Sequence, residues 1–148
     1  MGAKNEKIQT FTSTGDLQGI RPEMEDCHVI TTLAKHSHIL FAAVYDGHGG
    51  KGAAQFLSKN LHPTIDSGLG PDEHCLVTTG PAAVWTAHLG VDERFLDKNS
   101  PHLISAGSTS VIAMLNKVDR TLVVANLGDA RSVMSRRGIP VPLVEIHK

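Results

Sequence analysis

The chain has little of several things that would place it quickly. Of its 148 residues only two are cysteine, Cys27 and Cys75, far apart in sequence. One isolated pair makes neither a disulfide framework nor a zinc knuckle, and reads as free thiols in a reducing compartment. Aromatic residues are 4% of the chain, too few to build stacking platforms for nucleic-acid bases. The formal net charge is −1, so no basic surface predicts nucleic acid or an anionic membrane as partner. No apolar run approaches the roughly 20 residues of a membrane span. The first ten residues, MGAKNEKIQT, lack the apolar stretch of a secretory signal. Gly2 does not complete a myristoylation motif, because Glu6 stands where Ser or Thr is required. The expected location is the cytoplasm, with the nucleus as a second compartment.

The remaining composition is that of a folded protein. Apolar residues make up 41%, and the length suits one domain with a sizeable core. Residues 1–20 are polar and are expected to enter as an irregular strand. CHVITTL (27–33) is rich in β-branched residues and predicts a strand. ILFAAVY (39–45) is almost continuously apolar and predicts a strand buried on both faces. A helical stripe at Ala54, Leu57 and Leu61 follows over 50–61. HPTIDSGLGPDEH (62–74) is full of turn formers and reads as a loop. A second helix is expected over 81–96, with Val84, Trp85, Leu89, Phe95 and Leu96 on its apolar face. Residues 96–102 should break it. STSVIAML (108–115) and TLVVANL (121–127) predict an antiparallel hairpin turned at 116–120. Gly128 and Asp129 interrupt the second strand, ARSVMS continues it, and 136–138 turn again. Strands, two helices, then strands favour an α+β fold over strict βαβ alternation.

The chemistry concentrates at FAAVYDGHGGKGAAQFL (41–57). Gly47, Gly49 and Gly52 have the G-x-G-x-x-G spacing of a dinucleotide loop, and Asp66 lies where a ribose contact would fall. Two features oppose that reading. Asp46 would set like charge against a pyrophosphate, and no second strand follows the helix to carry the acidic residue. A phosphate-binding P-loop fails because Lys51 is followed by Gly52 rather than Ser or Thr. An aspartate at a strand end is instead a hard oxygen ligand for Mg²⁺ or Mn²⁺. Gly47 can expose its carbonyl to the same ion, and His48 can donate a proton near neutral pH.

Two further stretches point the same way. LQGIRPEMEDCHV (17–29) places Arg21, a fork-shaped phosphate donor, four residues before Glu25, with Asp26 adjacent. VVANLGDARSV interrupts a strand at Asp129, where a bulge would aim a carboxylate. Taken singly, each of the three also reads as a polar turn. His36 and His38 alternate across a turn and, without a third ligand, read as solvated loop histidines.

Together R-x-x-M-E-D, V-Y-D-G-H-G-G, A-G-S-T and A-N-L-G-D-A-R resemble the metal-dependent protein serine/threonine phosphatases of type 2C, in that family's order and spacing. HLGVDERFL (88–96) resembles its second-helix segment, and the resemblance runs from about residue 16 to 138. It implies a β-sandwich flanked by helices, with metals at one end between the sheets. It implies that Asp46 bridges two Mn²⁺ or Mg²⁺ ions, with Gly47 and Glu25 as ligands and Asp26 outside them. Asp129 matches a position linked to a third, weaker metal. Arg21 would hold the substrate phosphate and His48 would act as general acid. Phosphorylated proteins are the implied partners.

The family's domain is longer and draws two more metal aspartates from its later half. Here the only acidic residue after Asp129 is Glu145. Residues 1–148 are therefore expected to form an incomplete domain, a partial sandwich truncated in its C-terminal half. Weak or absent turnover and self-association through exposed strand edges follow as expectations. The alternative is a non-catalytic phosphatase-like module that binds phosphopeptides through Arg21.

Overall fold

The structure is a computed structural model that describes residues 8–97 and 105–147. Its elements in chain order are β1 (Cys27–Thr32), β2 (Ile39–Tyr45), β3 (Gly47–His48), α1 (Gly52–Gly68), α2 (Cys75–Thr78) and α3 (Gly80–Asp97). They continue with β4 (Gly107–Ser108), β5 (Ser110–Asn116), β6 (Leu122–Leu127), β7 (Val133–Arg136) and β8 (Ile139–Pro142). The fold is α+β, as expected. One antiparallel sheet runs β1-β2-β5-β6, and β3–β4 and β7–β8 form separate two-stranded ribbons.

Register explains the core. Phe41 lies opposite Met114 and Met114 opposite Val123; Ala43 lies opposite Ile112 and Ile112 opposite Ala125. Period-two alternation therefore puts these residues on one face. That face packs under α1 and α3 through Ala54, Leu61, Ile65, Ala87 and Val91. The opposite face carries Ile30, Leu40, Ala42, Val44, Ala113, Leu115 and Val124. Apart from Val111, which is buried, it is half-buried or exposed, with Val44 at 47%. The molecule is thus one leaf of a sandwich with helices on its outer side. Among the described residues the outer edge of β6 has no partner strand.

Several expectations need correction. β2 is not buried on both faces: Ile39, Phe41, Ala43 and Tyr45 are buried, Leu40 and Ala42 half-buried, and Val44 exposed. No second layer of the described residues covers that side. The loop over 62–74 is largely helix, because α1 runs through Pro63 to Gly68. Pro63 forfeits one backbone bond, yet Leu61 and Ile65 carry the apolar stripe across it and are fully buried. α3 buries Ala83, Val84, Ala87 and Val91, while Trp85, Leu89 and Leu96 are exposed. Small alanines permit the close approach to α1; a Cβ added at Gly68 would already stand 3.3 Å from that of Ala83. Residues 8–18 form no strand. The break expected at 96–102 lies mostly outside the described residues. β7 does not extend the main sheet and pairs with β8 instead.

His36 is not solvated either. It is buried, with Nδ1 2.7 Å from Asp66 Oδ1 and Nε2 donating to the Gly70 carbonyl at 2.9 Å. Asp66 Oδ2 accepts the Lys35 backbone N–H at 2.8 Å. The β1–β2 turn, the end of α1 and the following loop are stapled by this pair.

Tyr45 is fully buried, and among the described residues its hydroxyl has no hydrogen-bond partner. Burial alone pushes its ionisation well above the ordinary value. An orphaned hydroxyl costs desolvation without return. Tyr45→Phe is therefore expected to hold or raise stability, by up to about 1 kcal/mol, in denaturant unfolding. A loss of more than about 1 kcal/mol would mean the hydroxyl has a partner after all.

Candidate functional site

The candidate site lies where β2 ends. Asp46 follows the last residue of β2 and is held by one residue from 63 positions away. Its N–H donates to Thr109 Oγ1 at 3.1 Å, and its carbonyl accepts the Thr109 N–H at 2.9 Å. The next two residues form β3, with Gly47 opposite Ser108 and His48 opposite Gly107. Gly49 and Gly50 then turn the chain into α1 at φ 68° and 111°, values that favour glycine.

The R-P-E-M-E-D segment docks on this loop. A Cβ at Gly47 would stand 2.5 Å from the Glu25 carbonyl oxygen and 3.2 Å from Ala54 Cβ, so only glycine lets the strands approach. Glu25 Oε1 accepts the Gly50 N–H, which fixes one carboxylate oxygen and leaves the other. Asp26 and Asp129 both act on Asp46. The Asp46 carboxyl is raised above its ordinary range first by burial, then by the charges of Asp26 and Asp129 and by the hydrogen bond its protonated form donates to Asp26. His48 offsets part of this. Like charges gathered without a counter-charge raise a carboxyl in this way. Gly128, at φ 95°, precedes Asp129 and lies against Thr109; a Cβ there would come within 2.9 Å of Thr109 Cγ2.

Asp26, Asp46, Asp129, Glu25, Gly47 and His48 are therefore gathered at one end of the sheet. Arg21 opens the R-P-E-M-E-D segment. It is exposed, on a loop tied by Gln18 Nε2 donating to the Arg21 carbonyl at 2.8 Å and to the Pro22 carbonyl at 3.2 Å. Among the described residues its guanidinium makes no ion pair. The four hard carboxylates of Glu25, Asp26, Asp46 and Asp129 suit Mg²⁺ or Mn²⁺ in donor chemistry. In geometry the set stays open: among the described residues no three His, Cys, Asp or Glu side chains converge to hold one ion.

Thr109 was not singled out by sequence reasoning. Its hydroxyl belongs to the A-G-S-T stretch, whose register against Asp46 is a tertiary fact. An apolar groove of about 640 Å³ lies between α1, α3 and β6 and reaches Gly107 and Ser108 of β4. Trp85 and Leu89 line it, which accounts for apolar residues that the helix does not bury.

The fold is an α+β domain that carries this carboxylate cluster at one end of its sheet. The family model for protein phosphatase 2C matches residues 12–148, and the chain belongs to that family. A probable protein phosphatase 2C of Oryza sativa subsp. japonica is 37% identical over 134 residues, covering 86% of this chain and 32% of the relative. Protein phosphatase 1L of Bos taurus is 33% identical over 137 residues, covering 89% and 38%. The chain thus spans about a third of the length of these relatives. A solved structure of a C. elegans sex determining protein superposes with a TM-score of 0.71 at 24% identity, over 88% of this chain and 33% of that one. A bacterial serine phosphatase gives a TM-score of 0.71 at 19% identity, over 93% and 53%. Both are too distant in sequence to carry more than the fold. Among the described residues no helix is long and apolar enough to cross a membrane.

Proposed function

We propose that the site hydrolyses phosphoserine and phosphothreonine esters in proteins with the help of Mg²⁺ or Mn²⁺. The observation that carries this reading is the placing of Asp46 at a strand end, pinned by Thr109, with Asp26 and Asp129 near enough for their charges to act on it. A cation is the natural counter-charge for such a cluster. Asp46 would hold the ions, with the Gly47 carbonyl, Glu25 and the outer Asp26 and Asp129 around it. Bound there, divalent ions supply Lewis acidity and lower the pKa of a bound water.

The chain's own residues do the rest. Arg21 binds the phosphate oxygens through its planar fork, and its exposed, loop-borne position lets it swing to a bound phosphoprotein. His48 gives a proton to the departing serine or threonine oxygen, so that it leaves as an alcohol. Thr109 holds the Asp46 backbone through both of its hydrogen bonds, so the carboxylate does not need to reorganise.

The open ligand set favours weak binding, because carboxylate count largely sets such affinities. Turnover by these 148 residues should therefore be slow. The same openness favours the second reading, a module that grips phosphopeptides through Arg21 without turnover. Release of inorganic phosphate from a phosphothreonine peptide, with and without Mn²⁺, separates them. The expected result is a slow rate that needs Mn²⁺ and disappears in Asp46→Asn. Peptide binding that is lost in Arg21→Ala, with no phosphate released at any Mn²⁺ concentration, would favour the module.

A further inference from the structure

Four glycines around the site, Gly47, Gly49, Gly107 and Gly128, approach other groups too closely for a Cβ, and they meet different things. Gly47 meets the backbone of Glu25. Gly49 meets the Ser105 carbonyl oxygen and also sits at φ 68°. Gly107 meets neither backbone nor strain. Its Cβ would collide with the His48 imidazole at Nε2, stand 2.7 Å from Cε1 and 3.3 Å from Cδ2. Gly107 also pairs with His48 in the β3–β4 ribbon. Its φ is not in the left-handed region, so its own backbone would accept alanine.

We propose that Gly107 is a positioning residue for His48: the bare Cα of β4 forms the floor on which the imidazole lies. The strip 107–109 then serves as a template for the loop opposite it. Thr109 holds Asp46, Ser108 pairs with Gly47, and Gly107 seats His48. A carboxylate and a proton donor are held at a set spacing by one short segment. The catalytic meaning of this contact rests on the phosphatase reading, whereas the contact itself does not.

The physics separates this role from a packing role. His48 is exposed, so a methyl group at position 107 can turn the ring into solvent without breaking the ribbon. A methyl group at position 49 has no such escape, because it meets a backbone carbonyl at positive φ. The test uses the full chain and needs neither cation nor turnover. Gly107→Ala and Gly49→Ala are compared by thermal unfolding, and the His48 ring protons and carbons are followed by NMR, assigned through His48→Ala. The expected result is that Gly107→Ala keeps the melting temperature within about 2 °C. Its His48 ring resonances should shift and lose their cross-relaxation to the residue-107 backbone. Gly49→Ala should melt several degrees lower. Unmoved His48 resonances in Gly107→Ala would overturn the proposal. So would a stability loss matching that of Gly49→Ala, or a failure to fold, since either would make Gly107 a packing residue. A failed Mn²⁺ or hydrolysis assay would count against the phosphatase reading alone and leave this result intact.

Discussion

Replacing Asp66 by alanine is expected to lower the unfolding free energy by about 2–4 kcal/mol, the cost of leaving two buried groups without their hydrogen-bond partner. The reason is local. Asp66 Oδ1 faces His36 Nδ1 at 2.7 Å, and Oδ2 accepts the Lys35 N–H at 2.8 Å. His36 and Asp66 are both buried, at 8% and 4% exposure, so water cannot replace what is lost. The variant leaves an imidazole nitrogen and a backbone N–H unpaired at the junction of the β1–β2 turn with α1. For a domain of this size the shift in melting temperature is on the order of 10 °C. His36→Ala should cost a similar amount, and the double variant less than the sum, because both changes break one network. Denaturant unfolding of the three variants measures this directly. A cost below about 1 kcal/mol for either single variant would show that the staple contributes little.

Asp46→Asn is expected to act in opposite directions on activity and stability. Hydrolysis of a phosphothreonine peptide should fall by about 10²- to 10³-fold, since Lewis-acid stabilisation is worth several kcal/mol. Stability without added cation should rise. In the folded chain burial, Asp26 and Asp129 raise the Asp46 carboxyl above its ordinary value. A raised carboxyl favours the fold while it is protonated, and that contribution is lost as pH rises through the folded value. At neutral pH the ionised Asp46 therefore works against folding, and a neutral amide removes the repulsion. The gain should be a few tenths of a kcal/mol, because the residue is exposed and partly screened. It should shrink toward zero as pH falls to about 4, near the ordinary carboxyl range. Melting curves at two pH values check the sign. A variant less stable than the parent at neutral pH would mean that Asp46 has a favourable partner in the fold.

The contrast between these two aspartates shows what a sequence can reveal. Asp46 was legible because its neighbours carry the chemistry: a strand before it, glycines after it, and matching motifs at Arg21–Asp26 and Asp129. Asp66 was read only as a ribose candidate, because its partner His36 lies 30 residues away and no local pattern joins them. The strands were legible for physical reasons too. β1, β2 and the β5–β6 hairpin are β-branched or apolar runs bounded by polar turns, and their observed limits follow those runs closely. Helix α1 was cut short because Pro63 and Gly68 resemble breakers, while the burial of Ile65 outweighs one lost backbone bond. In α3 the large apolar residues at helical spacing point to a face that the fold does not bury. The helix in fact buries alanines, and Trp85 and Leu89 line a groove. Thr109 and Gly107 escaped because their roles exist only once β4 lies against β3.

The claim on which the rest stands is that Asp46 and its neighbouring carboxylates bind a divalent cation. Calorimetric titration of Mn²⁺ into the full chain, with Asp46→Asn beside it, tests this most directly. The account predicts weak binding, with a Kd on the order of 10⁻⁴ to 10⁻³ M for so open a ligand set. It also predicts that the heat disappears in Asp46→Asn while the folded baseline is unchanged. No binding by the unaltered chain, or equal binding by the variant, would contradict it.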